Sequence, residues 1–259
     1  MTPPNITKKQ QEILKYLYHF RFLNRVQIQA LLNHKDYRLI NAWLKDLTEK
    51  QYLNRIYSNK FGENTKPAIY YIGANGIKFI KEITNCPRKI LQRLNQEKDR
   101  SDHFIGMCQQ IADIYINTRK QSNDKTSYKA IANNAFSIPN SNYNFLADTT
   151  IDLVIEETKE SMKKYYTLEV MDSTLPGHSI KKRIKNYFNL YFSNSWEENI
   201  GEKFPVILIA TETLSMMISA KKIAKKILKD HEDLEDFEMR FAILKEAGGQ
   251  GLKNDIWEK

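Results

Sequence analysis

A chain of 259 residues is long enough for one large or two modest domains, each with a real core. Apolar and aromatic residues are plentiful, and the longest apolar run, FPVILIA, falls far short of the ~20 residues a membrane span needs. Disordered and membrane-spanning classes are thereby excluded. The net charge of +9 is unevenly spread: residues 1–100 carry 19 Lys and Arg against 8 Asp and Glu, whereas residues 101–259 carry 21 against 23. That asymmetry predicts a polyanion-binding module joined to a body close to neutral. Cys86 and Cys108 make no framework, no Cys/His cluster has zinc spacing, and the first residues hold no apolar signal core. A reduced, cytoplasmic setting is expected.

Thr7 is placed to cap a first helix, KKQQEILKYLYHF, with Ile13, Leu14, Leu17 and Tyr18 on one face. A short break, RFLN, follows. Asn24 then caps RVQIQALL, striped by Ile28, Leu31 and Leu32. After NHKD a third helix runs through YRLINAWLKDLTEK, with Ile40, Leu44 and Leu47 inward and Arg38, Asn41 and Lys45 on the other side. YLNRIYSN and AIYYI, joined by the turn-rich KFGENTKP, predict a hairpin. Helix, helix, helix, hairpin is the order of a winged helix. In that fold the third helix enters the major groove, turning Lys35, Tyr37, Arg38, Asn41 and Lys45 toward double-stranded DNA, and Lys60 and Lys66 of the wing meet phosphates. Arg38 and Asn41 suit base edges, whereas lysines mainly add salt-dependent affinity. Such a module also serves elsewhere in protein docking or dimerisation, so a homodimer is a competing use of this face. Trp43, beside the core positions, is read as packing.

A fourth helix is expected from Asn75 or Gly76, because GANG lacks the spacing of a phosphate-cradling loop. The polar stretch to residue 100 reads as a helical connector. The expected organisation is a DNA-binding module at 1–84, a linker at 85–100 and an α/β body at 101–259. SDHFIGMCQQIADIYINT is a helix, and residues 117–129 form a polar stretch. Strands are expected in KAIANNAFSI, TIDLVIEE, YYTLEVM, FPVILIAT and MRFAILKE, with helices in HSIKKRIKNYFNLYF and LSMMISAKKIAKKILK. The fold class is therefore α/β (α+β), a sandwich with a mixed sheet. KEAGGQG is read as a flexible turn.

Alternation puts Asp152, Val154 and Glu156 on one face of their strand and Thr167, Glu169 and Met171 on one face of the next. Asp152 and Glu169 would then point to the same side and could hold one divalent ion, with Asp172 joining only if the strand ends or bulges at Met171. On the following helix His178, Lys181, Lys182 and Lys185 share a polar face, opposite a buried stripe of Ile180, Ile184, Tyr187 and Tyr191.

The order of these segments resembles the replication-relaxation family. SDHF resembles the His-containing start of that family's central helix and TIDLVI its acidic strand. YTLEVMDST resembles its strand end, and IKKRIKNYFNLY followed by FPVILIAT its lysine–tyrosine helix and last buried strand. The resemblance implies an N-terminal winged helix joined to a body related to the PD-(D/E)xK nucleases, and a place in plasmid replication and mobilisation. In that superfamily a catalytic lysine stands where Met171 stands here, and a proline often precedes the acid where this chain has Ile151. Lysines migrate to the following helix in such enzymes, so Lys181, Lys182 or Lys185 would have to replace it. Arg183 and Tyr187 loosely resemble a Q-x-x-x-Y helix.

The expected function is a DNA-binding accessory protein, with no cofactor and with a relaxase or replication protein as partner. The first alternative is a Mg-dependent endonuclease with Asp152, Glu169 and Lys182 catalytic and Asp152, Glu169 and Asp172 on the metal. The second is a transcriptional regulator.

Overall fold

Side chains that precede the first helices cap them as their sequence predicts. Thr7 N donates to Gln10 Oε1 at 2.8 Å and Gln10 N donates back to Thr7 Oγ1 at 3.3 Å, a reciprocal box that starts α1, Lys8–Phe20. Asn24 and Gln27 repeat the device at 3.0 Å in both directions before α2, Arg25–Leu31. Asp36 Oδ1 accepts from Arg38 N at 2.8 Å and starts α3, Tyr37–Glu49. Ile13, Leu14, Leu17, Ile28, Ile40, Leu44 and Leu47 are all fully buried, so the three apolar stripes close on one another.

These coordinates come from a computed structural model, which describes all residues except 1–3, 59–64, 85, 139–140, 230, 232–233 and 235. The fold is α+β. It divides into two units, Met1–Ala112 with Ser137–Ser141, and Asp113–Phe136 with Asn142–Lys259.

In the first unit the hairpin is β2, Leu53–Ile56, and β3, Ile69–Ile72, paired antiparallel. The segment RFLN, read as a mere break, adds a third strand: β1, Leu23–Asn24, pairs with Tyr70 and Ile69 of β3. Phe22 and Leu23 are fully buried, and pairing on β3 satisfies the backbone that they take inside. Helix α4, Ala74–Thr84, follows, then α5, Arg88–Asn95, and a 3-10 turn, Glu97–Asp99. The stretch read as a polar connector buries Ile90, Leu94 and Glu97. Arg21 meets both oxygens of the Glu97 carboxylate, at 2.7 and 3.0 Å, which lets a charge sit inside.

Helix α6, Asp102–Arg119, runs through the point of division. The second unit is built on a five-stranded sheet in the order β4-β5-β6-β7-β8: Thr126–Ala132, Leu153–Lys159, Met162–Met171, Val206–Thr211 and Met239–Ile243. The first two junctions are antiparallel and the last two parallel, the mixed sheet expected. β4 begins inside the stretch read as polar loop, and the AF of KAIANNAFSI belongs to the one-turn helix α7, Asn133–Phe136. Helices α8, Gly177–Phe192, and α10, Leu214–Lys229, contribute Ile184, Tyr187, Phe188, Met217 and Ala220 to a core shared with Tyr165, Met171, Ile207 and Ile209 of the strands. Between α8 and β7 a short helix, α9, Ser195–Ile200, buries Trp196 in the same core.

The glycine-rich KEAGGQG is not a turn. Most of it lies in α11, Leu244–Gln250. Its weak helix formers are compensated by tertiary contacts: Leu244 and Ala247 are buried, and Asn117 of α6 and Gln121 of the turn after it donate to the Gly248 and Gln250 carbonyls at 2.6 and 2.7 Å. Gly251 ends the helix at φ +64°, and among the described residues no helix is long and apolar enough to cross a membrane.

Candidate nucleic-acid interface and buried carboxylate site

Helix α3 presents Tyr37, Arg38, Asn41 and Lys45 to solvent, with Lys35 exposed just before it. The apolar stripe of Ile40, Leu44 and Leu47 turns the opposite way into the core, which fixes the roll of the helix. Tyr37, half exposed, lies between two guanidinium groups: Arg38 at 5.9 Å and Arg25, from the start of α2, at 5.8 Å from its ring centre. Arg55 of β2 stands 4.5 Å over the Tyr57 ring. Both Arg25 and Arg55 act on the phenol of Tyr70, whose pKa burial raises while the two arginines pull it down. The starts of α2 and α3 and the hairpin therefore hold Arg25, Arg38, Arg55 and the exposed Tyr37 and Tyr57. Lys66 is exposed at the foot of β3, and Lys60 lies outside the described residues. Trp43 packs edge-on against His34 at 5.3 Å.

In the second unit, Leu153 of β5 pairs with Leu168 of β6, so Asp152, just before β5, stands across from Glu169. Glu169 is fully buried, and its Oε1 is held by Arg183 Nη1 of α8 at 3.0 Å. Burial raises the carboxyl of Glu169 above its ordinary pKa, against the pull of the Thr150 hydroxyl and of Arg183. Tyr187, one turn beyond Arg183, is buried, and burial followed by the nearby Glu169 charge pushes its phenol far up. Thr167 Oγ1, Glu169 Oε2 and Tyr187 Oη have no hydrogen-bond partner among the described residues.

Asp152 turns to the backbone: its Oδ2 accepts from Val170 N at 2.8 Å. Asp172 closes the turn after β6 by accepting from the Thr174 backbone at 2.9 Å and from the Thr174 hydroxyl. Asp152, Glu169 and Asp172 therefore do not assemble, and among the described residues no group of three His, Cys, Asp or Glu could hold a metal ion. One Glu169 oxygen faces a guanidinium, whose positive charge would oppose a cation placed beside it. His178, Lys181, Lys182 and Lys185 all stay exposed.

A model of the replication-relaxation family matches residues 14–207. The chain belongs to that family. The match runs from within α1 to the start of β7 and so takes in both the arginine–tyrosine surface and the Glu169 site. Membership in the replication-relaxation family points to a role in replication or mobilisation. No curated protein matches the chain.

Within this replication-relaxation chain, sequence reasoning missed Arg25, Arg55 and the role of Arg183. Arg183 had a signal: it falls three residues after Ile180 and four before Tyr187, on the inward side of α8, while the lysines weighed in its place share the outward one.

Proposed function

We propose that the protein is a cytoplasmic DNA-binding accessory of plasmid or mobile-element replication and mobilisation, in which the first unit is a winged helix and the second a nuclease-like body without nuclease chemistry. The reading rests on the solvent face of α3, where Arg38 and Asn41 stand one turn apart with Arg25 and Tyr37 alongside and no core duty to explain them. An arginine and an asparagine at that spacing suit purine edges in the major groove, and Lys35, Lys45, Lys60 and Lys66 suit phosphates. The helix–helix–helix–hairpin order supplies the frame, and a relaxase or replication protein is the fitting partner. Double-stranded DNA is the ligand, and no cofactor is needed.

The absence of nuclease chemistry is supported by the guanidinium on Glu169. Arg183 gives that carboxylate the positive charge that Met171 does not, and a carboxylate so paired is a poor ligand for magnesium.

The test is binding of the full chain to a duplex selected from a random pool and to an unrelated duplex. Arg38→Ala or Asn41→Ala costs about 1–3 kcal/mol on the selected duplex and little on the other. Lys66→Ala weakens both alike. Equal losses on both duplexes for Arg38→Ala would remove α3 as the reader, and unchanged binding would favour a protein-docking face. Supercoiled plasmid with Mg²⁺ or Mn²⁺ should stay intact; cleavage lost on Asp152→Ala and Glu169→Ala would establish the endonuclease instead.

A further inference from the structure

At the opposite end of the sheet from Glu169 the second unit has an open cavity of about 1020 Å³. It lies where β6, β7 and β8 begin and α10 passes over them, with Tyr165, Val206, Met239 and Phe241 in its walls. Ten of its 21 lining residues, from Lys221 to Lys259, follow the stretch that the replication-relaxation model matches.

The charge of this cavity is its first clue. Seven lysines line it against four carboxylates. Four of the lysines are tied: Lys163 to Glu156 at 3.6 Å, Lys203 to Asp236 and Lys259 to Glu238 at 2.9 Å, and Lys221 to Glu258 at 2.8 Å. Lys159, Lys164 and Lys225 have no carboxylate partner among the described residues. Glu157 and Glu202 of the lining are likewise without a lysine partner among the described residues, so the cavity keeps a small net positive charge, which favours an anionic ligand such as a phosphate.

The walls are the second clue. Phe204 and Phe237 are half-buried and stack with ring centres 5.8 Å apart and planes 17° from parallel, beside Leu228 and Met239. Inorganic phosphate would leave this apolar surface wet. A planar, partly apolar group joined to phosphates would cover it and gain the stacking that bases find on aromatic rings.

We infer that this cavity is a binding site for a nucleoside phosphate, either a free nucleotide or the terminal nucleotide of a single strand. The phosphates meet Lys225, Lys164 and Lys159, and the base lies toward Phe204 and Phe237. The inference is independent of the DNA reading by the first unit, because no residue of that unit lines the cavity.

Calorimetric titration of the full chain with ATP, with a 5′-phosphorylated thymidine tetranucleotide and with tripolyphosphate tests it. Saturable binding of ATP alone marks a free-nucleotide site, and binding of the tetranucleotide alone marks a strand-end site; either supports the inference, as does binding of both. Lys225 is exposed on α10, so Lys225→Glu leaves folding intact, which an unchanged urea midpoint verifies. That variant should bind roughly tenfold more weakly, while Arg38→Ala binds ATP as the wild type does. No saturable binding of ATP or tetranucleotide at millimolar concentration would overturn the inference. So would equal binding of tripolyphosphate, or a Lys225→Glu variant that binds like the wild type.

Discussion

Arg183 brings one positive charge to a carboxylate that has lost all contact with solvent, and the consequence is energetic before it is functional. A buried pair contributes little net stability relative to an apolar substitute, yet removing one partner strands the other. Arg183→Met should therefore destabilise the protein by about 3–5 kcal/mol, and Glu169→Leu on top of it should recover most of the loss; urea unfolding of both variants measures this. If the single variant is as stable as the wild type, the pairing is not what lets Glu169 stay inside. A second titratable group, half-buried on α1, makes a pH prediction. Burial, with Lys15 one turn earlier adding repulsion, lowers the imidazole of His19 from 6.5 to about 4. A folded-state value below the unfolded one means that His19 contributes stability above pH 6.5, and that this is lost as pH falls to about 4. The loss is at most about 3 kcal/mol. His19→Gln should show a shallower fall in urea midpoint between pH 7.5 and 4.5 than the wild type, and parallel curves would contradict the assignment.

Among the elements, α11 is held by what surrounds it. Two of its last three residues are glycines, so its hydrogen-bonded ends depend on Asn117 and Gln121 and on the stop at Gly251. At Gly251, φ is +64° and an added Cβ would come within 2.5 Å of Thr118 N and 2.9 Å of Asn117 C, both backbone atoms that cannot step aside. The Gly251 carbonyl also accepts from Trp257 Nε1 at 2.9 Å. Gly251→Ala should cost more than about 2 kcal/mol, through strain and displacement together, whereas Gly249→Ala, with open space around it, should be neutral or slightly stabilising. Thermal unfolding of the two variants separates these outcomes, and equal melting temperatures would show that α11 does not rest on this contact. The first two helices behave differently. Their starts lie in side chains three residues apart, Thr7 with Gln10 and Asn24 with Gln27, so local sequence alone is enough to place them.

For the whole molecule the distribution of charge bears on the proposed binding of DNA. The excess of Lys and Arg lies in residues 1–100, and Arg25, Arg38 and Arg55 gather on one surface of the first unit. If about five phosphates are neutralised there, the affinity of the full chain for duplex DNA should fall with salt along a log–log slope of about −4 to −5. Reversing Lys222 or Lys226 on α10 should leave that slope unchanged if, as proposed, the first unit reads the duplex. Fluorescence anisotropy across a salt series measures both, and a flat profile would exclude backbone contacts as the source of affinity.

The amino-acid sequence by itself determined whatever depends on spacing along the chain. Helical and strand periods put Leu44 inside and Asn41 outside, and gave the faces of Asp152 and Glu169, whereas the register that sets the two across from each other came from the fold. The charge asymmetry needed only counting. The tertiary structure alone decided which distant groups meet. Periodicity gives the side of a helix that faces inward, but not the atom that waits there, so only the packing of α8 on the sheet could bring Arg183, fourteen residues on, to Glu169. The same holds for β1, a two-residue strand that exists because β3 lies beside it, and for the lysine-lined cavity, whose walls come from five separate stretches between Glu157 and Lys259. Local chemistry chooses the elements and their faces; burial of one face against another chooses the partners.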